Sequence, residues 1–151
     1  MHESHRVTVV LVEDDPGHAL LIEKSLRRAG IVNPIMTLVD GGAALEYLFR
    51  QGEEVGNALN RPLLVLLDLN LPVLDGYQVL ERLKSDKRTR HIPVVILTSI
   101  DKPQEIARCY ELGCNVYVTK PLEAGRFSDA IWKLGMFLSI VKVPEAVENN
   151  D

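Results

Sequence analysis

The chain has 151 residues, of which 46% are hydrophobic and 25% charged, and its formal net charge is −4. This composition is typical of an ordinary globular domain and excludes fibrous and largely disordered proteins. The mild acidity and the scattered Lys and Arg residues also disfavour a direct nucleic-acid-binding function. Because the sequence shows no apolar signal-peptide segment and no run of ~20 apolar residues, we expect a cytoplasmic protein without membrane association.

Hydrophobic periodicity predicts five strands that alternate with five helices. The predicted strands are the short aliphatic runs 6–12, 34–39, 63–68, 92–99 and 115–120. The predicted helices are 16–30, 41–50, 76–87, 103–112 and 123–143, the first capped by Asp15 and stopped at Gly30. A helix after each strand implies a parallel sheet that is covered on both faces. We expect residues 1–143 to form one domain, with 51–61 as an exposed loop and 144–151 as a disordered acidic tail.

One residue of the third predicted strand is out of keeping with its neighbours. Asp68 directly follows the apolar run 63–67, which reads as a strand buried on both faces. A lone carboxylate is expensive to desolvate in such a place. Other polar residues also follow predicted strands, namely Glu13, Asp14, Thr98, Ser99 and Lys120. The carboxyl ends of parallel strands share one crevice, so we expect all six side chains to meet there.

The expected crevice has the chemistry of a phosphoryl-transfer site. Three carboxylates beside one lysine leave an excess of negative charge that calls for a cation. Hard oxygen ligands favour magnesium over zinc. In that setting Asp68 could attack phosphorus, while Thr98, Lys120 and backbone N–H groups could bind the remaining phosphoryl oxygens.

The order of the motifs VEDD, LLDLNLPVLDG, ILTS and YVTKP resembles the receiver domain of two-component response regulators. The resemblance extends over about residues 6–136. It implies an α/β, flavodoxin-like (βα)5 fold with the doubly wound strand order 2-1-3-4-5 and an extended C-terminal helix. The motif LVEDDPGHALLIEKSL, the longer loop 51–61 and the extended last helix are similar to the stand-alone regulators that partner cyanobacterial phytochromes.

The resemblance also implies a metal site around the phosphoacceptor Asp68. The implied cofactor is Mg2+, with Mn2+ as a substitute. Asp14, Asp68 and the main-chain carbonyl of Asn70 would coordinate the ion, and Glu13 would act through a water molecule. A tight loop would follow the acceptor, formed by Pro72, Asp75 and Gly76.

The phosphate-binding and switch residues are implied in the same way. Lys120, Thr98 and the neighbouring Ser99 would contact the phosphoryl group. Thr98 and Tyr117 would form the switch, with the tyrosine changing its rotamer on activation. The implied function is a single-domain regulator that takes a phosphoryl group from a sensor histidine kinase, with a phytochrome as the narrower candidate, and then alters its interaction surface.

Two alternatives remain open at this point. A phosphatase of the haloacid dehalogenase type also has a nucleophilic aspartate after an apolar strand, but it needs a second aspartate where Asn70 stands. A phosphate-independent pseudo-receiver would act only as a scaffold, although every expected site residue is present. Under the main interpretation the chain is a signalling protein rather than an enzyme with a separate substrate.

The pattern of the last predicted helix suggests self-association. Phe127, Ile131, Leu134 and Leu138 form one stripe that should pack on the sheet. A second apolar stripe lies nearly opposite, where a surface helix is usually polar, and consists of Trp132, Met136, Ile140 and Val143. An exposed patch of this kind predicts an isologous homodimer. The alternative is that the loop 51–61 or the tail covers it.

Overall fold

The computed structural model describes residues 7–53 and 62–120, together with position 129. Its strands are β1 (Thr8–Val12), β2 (Ile35–Leu38), β3 (Leu63–Leu67), β4 (Val94–Thr98) and β5 (Val116–Thr119). Its helices are α1 (Pro16–Arg28), α2 (Gly41–Glu53), α3 (Gly76–Ser85) and α4 (Pro103–Leu112). All strand pairs are parallel, in the order β2-β1-β3-β4-β5, which confirms the predicted flavodoxin-like topology. The predicted helix 123–143 and tail 144–151 lie outside the described residues, apart from Asp129, which is helical and exposed.

Apolar side chains pack on both faces of the sheet, which explains why its central strands are uninterrupted hydrophobic runs. Strands β1, β3 and β4 are buried along their whole length. The core on the face covered by α2, α3 and α4 includes Val10, Val12, Val65, Leu67 and Ile96. The core on the α1 face includes Val9, Leu11, Ile22, Leu64 and Leu66. Among the helices of the described residues, none is long and apolar enough to cross a bilayer.

Every strand is shorter than the sequence pattern predicts. Strand β1 begins two residues later, β3 ends one residue earlier, and the other three are shorter at both ends. The pairing nevertheless continues past the last strand residue in the centre of the sheet. The Asp68 N–H donates to the Val12 carbonyl at 3.1 Å, and the Glu13 N–H donates to the Leu38 carbonyl at 3.0 Å. These bonds fix the backbone of both acids relative to the sheet.

Helix α3 ends at Ser85 rather than near residue 87 as predicted. Asp86 leaves the helical conformation with φ −115° and ψ 130°, and its carboxylate accepts hydrogen bonds from the Arg88 backbone and side chain. The Thr89 hydroxyl donates to the Leu83 carbonyl at 2.7 Å. Side chains thus satisfy the groups that a further helical turn would have paired.

Helix α2 continues to Glu53, so the prediction that the loop 51–61 begins at residue 51 was wrong for its first three positions. Gln and Glu have helix propensities close to that of Ala, so a polar sequence does not by itself end a helix. The predicted loop residues 54–61 lie outside the described residues.

Two glycines allow the loops at the carboxyl edge of the sheet to pack closely. A Cβ on Gly76 would lie 2.3 Å from the Asp68 carbonyl oxygen, and one on Gly41 would lie 2.0 Å from the Leu74 carbonyl oxygen. The loop from β3 to α3 contains Val73, a β-branched residue with a φ of 71°. The connection from β3 to α3 is therefore held tightly against its surroundings and stores backbone strain.

Candidate functional site

Three carboxylates meet at the carboxyl ends of β1 and β3. Oxygen atoms of Glu13, Asp14 and Asp68 all lie within 4.8 Å of one another. Glu13 and Asp68 are 2% and 7% exposed, whereas Asp14 is exposed to solvent. The predicted acidic cluster is therefore present, with one carboxylate on its open side and two in its interior.

Lys120 supplies the positive charge of this cluster. It follows β5, is 6% exposed, and its Nζ donates to Glu13 Oε1 at 2.5 Å and to Asp68 Oδ2 at 2.9 Å. The three side chains directly follow β1, β3 and β5, so these strands must all be in the sheet for the side chains to meet. With Asp14 included, three acids face one ammonium group.

The environment shifts the pKa values of two members. Burial raises the pKa of the Glu13 carboxyl above its usual range, and the charge of Asp68 adds to the rise, although the hydrogen bond from Lys120 opposes it. Burial alone would lower the pKa of Lys120, but its hydrogen bonds and its attraction to Glu13 and Asp68 outweigh burial and raise it. Lys120 is therefore fully charged at neutral pH.

The donor set fits a hard divalent cation. Carboxylate oxygens supply the cluster, and oxygen ligands are those that Mg2+ and Mn2+ prefer. The excess negative charge left after pairing with Lys120 would be balanced by such an ion. Asp14 and Asn70 both line a concave opening of about 410 Å³ beside the cluster. The Asn70 N–H also donates to Asp68 Oδ1 at 3.3 Å, so this loop lies directly against the predicted acceptor.

Thr98, at the end of β4, carries a hydroxyl that is not satisfied within the fold. The residue is 0% exposed, and its Oγ1 finds no hydrogen-bond partner among the described residues. Leaving a buried hydroxyl unpaired costs about 1–3 kcal/mol. Such an atom fits a site whose partner is a phosphoryl oxygen. Ser99, by contrast, is exposed and lines a neighbouring opening rather than the one beside Asp14.

Tyr117 lies on β5 and is partly buried. Its hydroxyl donates to the Ile100 carbonyl at 2.7 Å, so the ring is attached to the loop that follows Thr98. Burial raises the pKa of Tyr117 to about 12, which keeps the hydroxyl protonated as a donor. The predicted switch pair is thus connected through the β4–α4 loop.

A second tyrosine near the site was missed by sequence reasoning. The Tyr77 hydroxyl donates to Glu105 Oε1 at 2.6 Å, and the Arg108 guanidinium carbon lies 4.0 Å from the centre of the Tyr77 ring. Burial and the Glu105 hydrogen bond raise the pKa of this phenol. The i, i+3 spacing of Glu105 and Arg108 on α4 is visible in the sequence. Nothing in that spacing indicated that Tyr77, 28 residues earlier, would contact Glu105.

Comparison with known proteins agrees with this geometry. The family model described as response regulator receiver domain matches residues 9–132. A receiver domain structure from Rhodospirillum rubrum is 50% identical, with a TM-score of 0.85 over 92% of this chain and 98% of the other. The phosphorylated cyanobacterial phytochrome response regulator RcpA is 37% identical, with a TM-score of 0.80 over 93% of this chain and 99% of the other.

The response regulator Rcp1 of Synechocystis is a further relative. It is 39% identical over 112 residues, which is 74% of this chain and 75% of Rcp1. A structure of its Mn2+-bound form covers 91% of this chain and 98% of the other, with 32% identity and a TM-score of 0.78. These matches are consistent with a signalling protein and lend no support to the phosphatase or scaffold alternatives.

Proposed function

Because the chain belongs to the response regulator receiver domain family, we propose that Asp68 accepts a phosphoryl group from a phosphohistidine of a sensor kinase. The observation that carries the assignment is the cluster in which Asp68 contacts Lys120 beside Glu13 and Asp14. A carboxylate oxygen of Asp68 would attack phosphorus, and the P–N bond to the kinase imidazole would break with its electron pair on nitrogen. The product is an acyl phosphate on Asp68.

The proposed cofactor is Mg2+, with Mn2+ as a substitute. Asp14, Asp68 and the main-chain carbonyl of Asn70 would hold the ion, and Glu13 would act through a water molecule. The bound ion supplies positive charge that shields the carboxylates from the incoming phosphoryl group. The oxygen-rich cluster and the Mn2+-bound form of Rcp1 support this choice.

The remaining phosphoryl oxygens would be bound by Lys120 and Thr98, with Ser99 as a further contact. Thr98 Oγ1 has no competing partner to give up among the described residues, so turning toward the phosphoryl group restores a missing hydrogen bond. The Tyr117 side chain would follow this movement. Because its hydroxyl holds the Ile100 carbonyl, its rearrangement would alter the surface before α4.

The proposed phosphodonor is a sensor histidine kinase of the phytochrome type. The support is the similarity to Rcp1 and to RcpA, of which the latter is described as a phytochrome response regulator. The protein would act in the cytoplasm as a signalling component, without direct nucleic-acid contact and without an enzymatic substrate of its own. Its domain would span residues 1–143, followed by the tail 144–151.

Phosphorylation of Asp68 is tested by chemical labelling with a small phosphoramidate or acyl-phosphate donor. We expect the wild type to take up one phosphoryl group that hydroxylamine removes, in the presence of Mg2+ and not in excess chelator. Asp68→Asn should take up none, because the nucleophilic oxygen is gone. The exposed Asp129→Asn is the matched control and should label normally. Labelling of Asp68→Asn at the wild-type rate would refute the assignment.

A further inference from the structure

Tyr77 forms part of the wall between two openings at the carboxyl edge of the sheet. The first opening lies beside the phosphorylation cluster and is lined by Tyr77 together with Asp14 and Asn70. The second has a volume of about 550 Å³ and is lined by Tyr77, Ser99, Ile100, Asp101, Lys102 and Glu105. The partly buried Tyr77 side chain therefore borders both the acceptor region and the β4–α4 loop.

This ring is held at both of its ends. Its backbone follows Gly76, whose N–H donates to the Leu69 carbonyl at 2.8 Å and which has no room for a side chain against the Asp68 carbonyl. Its hydroxyl is held 2.6 Å from Glu105. The Arg108 guanidinium covers one ring face at 4.0 Å. Helix α4 thus fixes the ring relative to the acceptor strand.

We propose that Tyr77 is a positioning residue that restricts the approach of water to the phosphoryl group on Asp68. The inference rests on the proposed function of Asp68 as acceptor. In hydrolysis a water oxygen attacks phosphorus, and the P–O bond to Asp68 breaks with its electron pair on the carboxylate. Both protons of the water leave on the inorganic phosphate, as H2PO4−. The attacking water must arrive through the space around the acyl phosphate that Tyr77 helps to line, so the position of the ring sets the rate.

The hydrogen bond that Tyr77 donates to Glu105 extends this control to helix α4. The loop that leads from β4 into α4 contains Ile100, whose carbonyl accepts a hydrogen bond from the Tyr117 hydroxyl. A change at Thr98 and Tyr117 would therefore reach Glu105, and with it the ring of Tyr77. The lifetime of the phosphorylated state becomes dependent on the conformation that the phosphoryl group itself induces.

The test measures the decay of the label on the full chain after removal of a small phosphoramidate donor. Tyr77→Phe loses the hydrogen bond and should shorten the lifetime about two- to tenfold, the range that one net hydrogen bond supports. Glu105→Gln keeps a neutral acceptor in place of the charged one, so it weakens the bond and should shorten the lifetime to a smaller extent. Tyr77→Ala also removes the ring and should shorten it further. The initial labelling rate should be retained, because the nucleophile and its cation are unchanged.

Glu111→Gln is the matched control, since Glu111 is an exposed carboxylate on the same helix, and its lifetime should equal that of the wild type. Thermal unfolding of each variant shows whether a shorter lifetime comes from loss of the fold or from displacement of the Tyr77 ring. If Tyr77→Ala does not fold, the test rests on Tyr77→Phe and Glu105→Gln. Unchanged decay in these two variants, or equal acceleration in Glu111→Gln, would overturn the inference. A wild type that takes up no label would instead refute the proposed function.

Discussion

Lys120 shows how the cluster balances stability against chemistry. Its ammonium group and the carboxylates of Glu13 and Asp68 are all nearly buried. Removing charges from water costs several kcal/mol for each ion, and pairing offsets only part of this penalty. A core of apolar residues would therefore serve the fold at least as well. The arrangement is understandable as a preorganised site whose charges are needed for phosphoryl transfer.

Val73, in the loop beside the site, departs from the most stable backbone conformation. A β-branched side chain at a φ of 71° is strained by about 1–3 kcal/mol. Since Val73 is 78% exposed, its replacement forfeits little buried surface. We expect Val73→Gly to raise the free energy of unfolding by about 1 kcal/mol, after allowing for the greater entropy of glycine in the unfolded chain. Urea unfolding measures this change.

The exposed Val39 provides the control for Val73→Gly. It is 59% exposed and does not have a positive φ, so Val39→Gly should lower the free energy of unfolding through the entropy term alone. Equal destabilisation by both substitutions would show that the Val73 turn is not strained.

At the scale of elements, α3 is the helix whose two ends are most clearly determined by side chains. Asp75 caps its first turn, where the Asp75 side chain and Gln78 form a reciprocal capping box. Asp86 follows its last turn and is paired with Arg88. Because α3 begins immediately after the acceptor loop, these caps also fix where that loop must end.

The pairing of Asp86 predicts an acid-dependent contribution to stability. Hydrogen bonds from Arg88 lower the pKa of Asp86 from 3.8 to about 2. A lowered pKa in the folded state stabilises the fold above the unfolded value, and the contribution is lost as the pH falls through about 2. Asp86→Asn should therefore reduce the Tm by a few degrees at most at pH 7, with the difference vanishing near pH 2.

Thermal unfolding followed by circular dichroism between pH 2 and pH 7 checks this expectation. Glu81→Gln, an exposed carboxylate on the same helix, serves as the control. A Tm difference for Asp86→Asn that persists undiminished at pH 2 would contradict the role of the Asp86 charge.

The resemblance to receiver domains implied the sheet order, whereas the convergence of the acids with Lys120 could be predicted from the residues themselves, because strand ends carry a clear polar signal. Asp68 after five apolar residues is the strongest such signal. The end of α3 was less predictable, since it depends on Thr89 reaching back to the Leu83 carbonyl. Local helix propensity does not contain that contact.

The contact between Tyr77 and Glu105 could not be predicted for a related reason. It joins the first turns of two helices and exists only because α3 and α4 pack side by side. The orphaned hydroxyl of Thr98 was likewise invisible, since an unsatisfied group is a property of the packed fold. Sequence patterns indicate which polar residues lie at a strand end, whereas the side chains that contact those residues depend on tertiary packing.

At the scale of the whole molecule, the predicted dimer depends on a surface outside the described residues. The apolar stripe Trp132, Met136, Ile140 and Val143 should bury itself against a second copy about a two-fold axis. We expect the wild type to sediment as a dimer at high micromolar concentration. Trp132→Glu should be monomeric, because it places a charge in the apolar interface.

Asp129→Asn changes an exposed position on the same predicted helix and should leave the sedimentation of the dimer unaltered. A wild type that stays monomeric, both with and without a phosphoryl mimic, would rule the homodimer out.

The wide spacing of the cluster along the chain has a consequence for the order of folding. Lys120 lies 107 residues from Glu13 and 52 from Asp68, so its contacts close two long loops, and contacts of high sequence separation slow folding. An intermediate with β1 and β3 paired but β5 undocked would bring the two carboxylates together without their ammonium partner. Repulsion between them would raise the energy of that intermediate. We therefore expect the chain to gain its reactive centre and the partial charge compensation by Lys120 in the same late step, when β5 joins the sheet.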